Sequence, residues 1–389
     1  MLSSCKIGLF ADRWFTYVSL SLLRGSADLA QQHLFIDPMS GTQTIDRSPM
    51  RTEKELLIAT KQYSSENRLL SWWHLLSTIA AFIGLFTLTW MKTPLWLRIP
   101  AGVCSGLTFV RLFCIYHDFA HHSILHGSKL AKVIMYTYGF LGLSPPSIWI
   151  RSHNHHHNNN SKLHGIGFGS YPLMTTDEWA VATKRERFTY AATRHPLTIA
   201  CGYITIFLFG MCIRSFFISP KRHWDCGVTA VLHVGILAWV ATYGLDVLVF
   251  SLLLPIAVAS CMGAYLFYAQ HNFPGVQYGD REDWTYVKAA LKSSSYIKMN
   301  PLMRWFTANI GYHHIHHLNH RIPFYRLPEA MAGLPELQSP VTTTLSPKSI
   351  LACFRSKLWC VEEQRYVSFD YLPPTPIKQL PQTVGIVNL

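Results

Sequence analysis

Four long apolar runs restrict what this chain can fold into. Leu69–Trp90, Leu95–Tyr116, Gly227–Gly244 and Val247–Tyr268 each approach the ~20 residues that an α-helix needs to cross the hydrocarbon layer of a bilayer. Backbone polar groups find no water in that layer, so helices that bond internally are the natural form for such runs. Trp72, Trp73, Trp90 and Trp96 stand at the ends of the runs, where amphipathic rings favour the headgroup level. Charged residues make up only 14% of the chain, against roughly 25% in an ordinary soluble domain. The four runs therefore read as four membrane spans.

The formal net charge is +13, which in a soluble protein would suggest nucleic acid. Here the charge flanks the spans, so no nucleic-acid partner is expected. Arg47, Arg51, Lys54, Lys61 and Arg68 precede the first span, eight Lys or Arg occupy 117–196, and the link Tyr243–Asp246 has none. By the positive-inside rule the first flank, the middle segment and both termini are cytoplasmic, against a weak opposing signal from Lys92 and Arg98. The nine cysteines include no C-x-x-C pair and read as reduced packing residues, neither a disulfide framework nor an iron–sulfur site.

Two further stretches, Val133–Ile150 and Leu197–Ile218, are apolar but interrupted, the first by "GLSPPS" and the second by Gly202, Gly210 and Arg214. If either crossed the bilayer singly, the histidine-rich segments on its two sides would be parted by the membrane. Both are therefore expected to be interfacial or re-entrant, as irregular backbone is tolerated when protein covers it. The expected organisation is an N-terminal extension over 1–50 with no assigned role, a membrane domain over 51–340 and a cytoplasmic C-terminal tail over 341–389. In the extension "WFTYVSLSLL" is too short to span, and four aspartates argue against a transit peptide.

Twenty histidines are present, gathered in "HDFAHHS", "RSHNHHHNNNSK" and "HHIHH". The first supplies His117 and His121 at i, i+4. The second supplies His153, His156 and His157 and the third His313, His316 and His317, both on one template, i, i+3, i+4, which places three imidazoles on neighbouring positions of a helix face. His271, in "YAQHNFPG", follows the fourth span as His117 follows the second. A single HxxHH in a polar loop is often a solvated coincidence, but a repeated template at the ends of spans is not. Neutral imidazole suits zinc, copper, iron and nickel, and spacing does not choose among them. Nine nitrogens exceed the about four to six that one such ion takes, which implies two metals. Metal-bound histidines commonly donate their second nitrogen to a carboxylate or carbonyl, and Asp118, Asn309, Asp283 and His122 are the candidates for such supporting contacts. His74 and His233 lie within spans and are expected to hydrogen-bond between helices. The resulting fold class is an all-α integral membrane protein, a four-helix transmembrane bundle with a cytoplasmic helical cap that holds a histidine-rich dimetal site.

With these motifs in order, the chain resembles the membrane-bound fatty acid desaturases, whose three boxes follow HxxxH, HxxHH and HxxHH. The resemblance spans roughly Met50–Phe369 and is greatest to the acyl-lipid, Δ12-like bacterial and plastid type, through "FYAQHNFPG", "AALKSSSYIK" and "RIPFYRL". It implies a non-haem di-iron centre that uses O2 and two electrons to place a cis double bond in an acyl chain held as a lipid or thioester. It further implies His117, His121, His153, His156, His157, His271, His313, His316 and His317 as iron ligands. One departure stands out, since stearoyl-CoA enzymes place an asparagine four residues before the lone histidine and this chain has Phe267. The lone His-Pro pair, "RHPL", lacks the glycines of a fused cytochrome b5, so ferredoxin or free cytochrome b5 is the implied electron donor. A di-iron hydroxylase of alkane, sterol or carotenoid would share the boxes and is the alternative. A metal transporter would instead place its ligands at mid-bilayer on broken helices.

Overall fold

The computed structural model describes residues 51–163, 169–280 and 282–371. The expected extension over 1–50 and the end of the expected tail, beyond 371, lie outside the described residues. Among the described residues four helices are long and apolar enough to cross a membrane: α1 (Arg68–Trp90), α2 (Leu95–Ala120), α5 (Trp224–Ala241) and α6 (Leu245–Ala269). Each overlaps one expected span. Between α2 and α5 lie α3 (Lys129–Leu141) and α4 (Pro146–Asn159), and after α6 comes the short α7 (His313–Leu318).

Helix ends follow local chemistry. Asn67 caps α1 by accepting from Leu70 N at 3.0 Å, a donor that would otherwise lack a partner. Gly244 turns the chain between α5 and α6 at φ 126°, a conformation that a side chain opposes. α2 runs on past the apolar stretch to Ala120, and His121 is its C-cap residue. It packs along both α1 and α6. At the second contact Gly106 lets the backbones meet, since a Cβ there would come within 2.5 Å of the Pro255 carbonyl oxygen. Small residues at a crossing have this effect in membrane helices, where close packing drives association.

The large polar side chains within the four helices find partners, which apolar surroundings favour. Arg98 donates to Asp246 Oδ2 at 2.9 Å and to the Thr89 carbonyl at 3.2 Å, which ties the far ends of α2 and α6. Arg111 donates to Thr78 Oγ1 at 3.0 Å and to the Trp305 carbonyl, and its Nη2 lies 3.1 Å from His74 Nδ1. His233 Nε2 is 2.6 Å from the Tyr203 hydroxyl. His74 and His233 thus link helices to their surroundings, as read from the sequence.

The two interrupted stretches are short pieces. Val133–Ile150 divides into α3 and the start of α4 at a bend where Leu143 has φ 53°. Leu197–Ile218 becomes Pro196–Ala200, a π-helix over Tyr203–Arg214 and a last turn over Ser215–Ile218. At 1.5 Å per residue α3 covers roughly 20 Å and Tyr203–Ile218 about 24 Å, less than the ~30 Å hydrocarbon layer.

The remainder forms a mostly helical body with two short sheets. Tyr296–Lys298 pairs in parallel with Thr342–Thr344, and Leu358–Cys360 pairs antiparallel with Arg365–Val367. Residues 342–371, within the expected tail, thus pack into the domain, and Trp359 is fully buried. A buried arginine fastens this region. Arg194 has 0% exposure and donates to the Pro172 carbonyl at 2.8 Å, Asn272 Oδ1 at 2.7 Å and the Ser356 carbonyl at 2.9 Å. The rings of Tyr190, Tyr268 and Tyr366 surround its guanidinium at 5.3–5.6 Å, within reach of cation–π attraction. The eight described cysteines are free thiols, in accord with the reduced state read from the sequence.

Removing that guanidinium strands three acceptors, two of them buried. Arg194→Ala is expected to destabilise the fold by about 3–5 kcal/mol, and Arg194→Lys to recover little, because an ammonium lacks the planar fork. Thermal unfolding in detergent checks this. Wild-type melting of the alanine variant would refute the fastening role.

Candidate metal centre

The site is assembled at the ends of α2 and α6. His117 lies in the last turn of α2, His121 caps it, and His271 follows the C-cap of α6. α4 begins with Pro146 at its first position, where the missing N–H costs nothing. Asp225 steadies that start by accepting from Ser147 N at 2.8 Å. His153, His156 and His157 lie on the last turns of α4, and His313, His316 and His317 lie on α7.

The nine histidines that the sequence singled out come together in two groups. His117, His121, His153, His157 and His316 form one, and His156, His271, His313 and His317 the other, with potential ligand atoms in each within 4.8 Å of one another. Each three-histidine box divides between the groups, and helix geometry explains how. Residues at i and i+4 differ by about 40° around the axis, while i+3 lies about 60° to the other side of i. His153 and His157 therefore stay together and His156 turns to the second group. His313 and His317 stay together and His316 turns to the first. The remaining contributions are unequal, because His117 and His121 both join the first group whereas the matching i, i+4 pair at the end of α6 is Phe267 and His271. The Phe267 ring lies 5.3 Å from that of His156.

Within the second group the Nε2 atoms form a closed ring. His156 to His271 is 3.0 Å, His271 to His313 2.9 Å, His313 to His317 3.1 Å, and His317 to His156 3.2 Å. In the first group His121 to His153 is 2.9 Å, His153 to His157 3.1 Å and His157 to His316 3.1 Å. Metal–nitrogen bonds of 2.0–2.1 Å place neighbouring ligands at right angles about 3.0 Å apart, so these spacings suit shared ions.

The hydrogen bonds on the opposite ring nitrogens point the same way. His117 Nδ1 donates to Asp118 Oδ1 at 3.0 Å, and His271 Nδ1 donates to the Ser293 carbonyl at 3.0 Å. In a neutral ring with hydrogen on Nδ1, Nε2 carries the lone pair. His156 Nδ1 meets Ser170 Oγ at 2.7 Å. Burial, reinforced by neighbouring imidazoles, holds His121, His153, His156, His157, His313, His316 and His317 well below the ordinary histidine range. Burial takes His271 to about 4, against the hydrogen bond to Ser293. Neutral donors with converging lone pairs repel one another in a medium of low polarity, and a cation relieves that repulsion. The donor set fits metal ions.

The supporting residues were only partly foreseen. Asp118 orients His117, and its Oδ2 accepts from Phe324 N at 2.8 Å. The other three candidates hydrogen-bond to no ring of either group. His122 is exposed, with Nδ1 3.1 Å from that of His126. Asn309, at φ 56°, donates to the Phe324 carbonyl at 3.1 Å and so braces the segment that Asp118 holds. Asp283 is exposed, and its carbonyl accepts from Lys288 Nζ. Nearness along the chain suggested each of them, and turns in the backbone carry them away.

The sequence reading left three contributors unassigned. The His320 ring lies tilted 4.7 Å from that of His121 and edge-on 5.3 Å from that of His157; its spacing from His316 and His317 was the available signal. Ser293 offers a backbone carbonyl, which leaves no side-chain trace. Ser170 arrives because Gly169, at φ 81°, passes so close to α4 that a Cβ would lie 2.0 Å from the Ser152 carbonyl oxygen.

A cavity of about 400 Å³ reaches the two groups at His117, His153 and His313. Its walls are mainly apolar, with Phe109, Phe113, Ile148, Trp149, Phe207 and Phe267 among them. Such walls suit a flexible hydrocarbon.

Comparison with known proteins agrees with this geometry. The family model for fatty acid desaturases matches residues 93–344. A protein of Bacillus subtilis named fatty acid desaturase is 30% identical over 348 residues, which cover 88% of this chain and 96% of the relative. Chloroplastic omega-6 fatty acid desaturases of Brassica napus and Arabidopsis thaliana are each 25% identical over 316 residues, 77% of this chain and 68% and 67% of the relatives.

Asp118→Asn is expected to weaken metal retention by roughly 10–100-fold, the usual effect of losing a partner that orients a ligand, while Asp283→Asn leaves it at the wild-type level. Elemental analysis of purified protein after graded chelator treatment checks both. Equal retention in the two variants would remove Asp118 from the site.

Proposed function

This chain belongs to the fatty acid desaturase family, and from that premise we propose a di-iron site built from the nine histidines in the two groups described. His117, His121, His153, His157 and His316 hold one iron, and His156, His271, His313 and His317 hold the other. The enzyme is a fatty acid desaturase, and the fatty acyl chain lies in the apolar cavity. With O2 and two electrons the bound iron pair supplies oxidation of the chain, in which two hydrogens leave adjacent carbons, a cis double bond forms and oxygen ends as water.

The protein's own part is placement and exclusion of water. An alkyl C–H offers no polar contact, so the aromatic and aliphatic walls must fix the chain by shape, while a cofactor carries the difficult chemistry. Trp149 stacks on the His153 ring at 4.8 Å and also lines the cavity, so one side chain steadies a ligand and borders the substrate. Asp118 and the Ser293 carbonyl keep hydrogen on the Nδ1 atoms of His117 and His271 and leave the Nε2 lone pairs for metal.

The electrons come from a separate carrier, ferredoxin or cytochrome b5; the basic segment between α2 and α5 suits an acidic donor through electrostatic steering. The histidine groups and both chain ends face the cytoplasm, a reading that rests on the Lys and Arg flanks. The substrate is an acyl chain esterified in a lipid or held as a thioester.

The observation that carries this reading is the meeting of nine imidazoles from four parts of the chain at the wall of a 400 Å³ apolar cavity. Gas chromatography of fatty acids from a host expressing the chain is expected to show a new unsaturated species, absent with His317→Ala. Identical profiles, with both proteins present in the membrane, would sink the reading. Hydroxylated products would favour the hydroxylase.

A further inference from the structure

The cavity has one feature that its apolar walls do not explain. Among the described residues that line it, Arg214 is the one exposed residue and the one side chain with a permanent charge. It ends the π-helix Tyr203–Arg214, beside Ser215, which also lines the cavity. Most other arginines that reach a buried or half-buried region are partnered: Arg98 by Asp246, Arg111 by Thr78 and a carbonyl, Arg194 by three acceptors. Arg214 makes no side-chain hydrogen bond or ion pair among the described residues. The cavity therefore reaches the molecular surface beside an exposed guanidinium that has no protein partner among the described residues.

We propose that Arg214 binds the phosphate that accompanies the acyl chain and selects substrates whose carbonyl end bears one. A guanidinium recognises phosphate with paired hydrogen bonds, and at the mouth it would hold the polar end while the apolar tail enters. Two carriers have this chemistry, a phosphoglycerolipid and a phosphopantetheine thioester. The inference rests on the cavity being the acyl site proposed above.

The test uses the iron-loaded full chain in vesicles with a reduced ferredoxin. Three substrates carry the same acyl chain: phosphatidylglycerol, a phosphate-free galactosyl diacylglycerol and the acyl thioester of acyl carrier protein. The readout is the ratio of kcat/KM for a phosphate-bearing substrate to that for the galactolipid. Arg214→Gln is expected to lower the ratio roughly tenfold, the loss of one charge-assisted contact at an exposed position, and Arg214→Lys to recover part of it. A fall with phosphatidylglycerol identifies the lipid as the source, and a fall with the thioester identifies the carrier. An unchanged ratio overturns the proposal, whether both activities fall together, as for a mere membrane anchor, or neither does. A wild-type protein that desaturates none of the three overturns the acyl-site reading itself and this inference with it.

Discussion

Repulsion among unprotonated imidazoles is the constraint on which this structure depends. Eight of the nine rings, His117 apart, have ring nitrogens 2.9–3.2 Å from a neighbour's, in surroundings that oppose a proton on each. Such an arrangement is unfavourable by itself and becomes favourable around a multivalent cation. The chain must hold these rings in place by other means. α2 and α6 packed through Gly106 fix His117, His121 and His271, Asp225 fixes the start of α4, and Arg194 locks the region around Asn272, the neighbour of His271. Much of the polar detail outside the groups can be understood as scaffolding for an electrostatically awkward centre.

The same arrangement joins two solvents in one molecule. The four long helices are suited to hydrocarbon, while the histidine boxes need the hydrogen-bonding loops of the cap. The cavity belongs to both: aromatic side chains line it, and three histidines open on to it. A hydrocarbon chain in this cavity would remain in apolar surroundings along its length while one segment passes the histidine groups. The groups are also not equivalent. Phe267 stands where symmetry with His117 would place a fifth histidine, so the second group offers fewer nitrogens and has an aromatic wall in the place of one.

Different parts of this design were legible in the sequence for different physical reasons. The four span-length helices were visible because a bilayer demands long apolar runs, and the histidines because a helical period repeats in two boxes and the remaining ones end two of those runs. The division of each box between two groups follows from helical angles, but the partners across the gap become evident only with tertiary structure. Supporting residues were the least legible. Asp118 was found because it adjoins its histidine, whereas Asn309 and Asp283 are carried off by turns, and Ser170 depends on a glycine passing close to another helix. Arg194 looked like one more cation in a basic segment, although its burial and three acceptors make it a fastening point. The C-terminal segment through 371 gave little periodic signal because its elements are three-residue strands and a short helix that gain stability from the body they join.

The exchange of single histidines between the boxes has an evolutionary corollary. Insertion of one amino acid in either box would turn the following rings by about 100° and spoil both histidine groups in a single step. Neither group can drift, duplicate or decay alone, because α4 and α7 each serve both. Descendants of such a chain would be constrained to inherit the pair as one unit, even where loops and tail diverge freely around it.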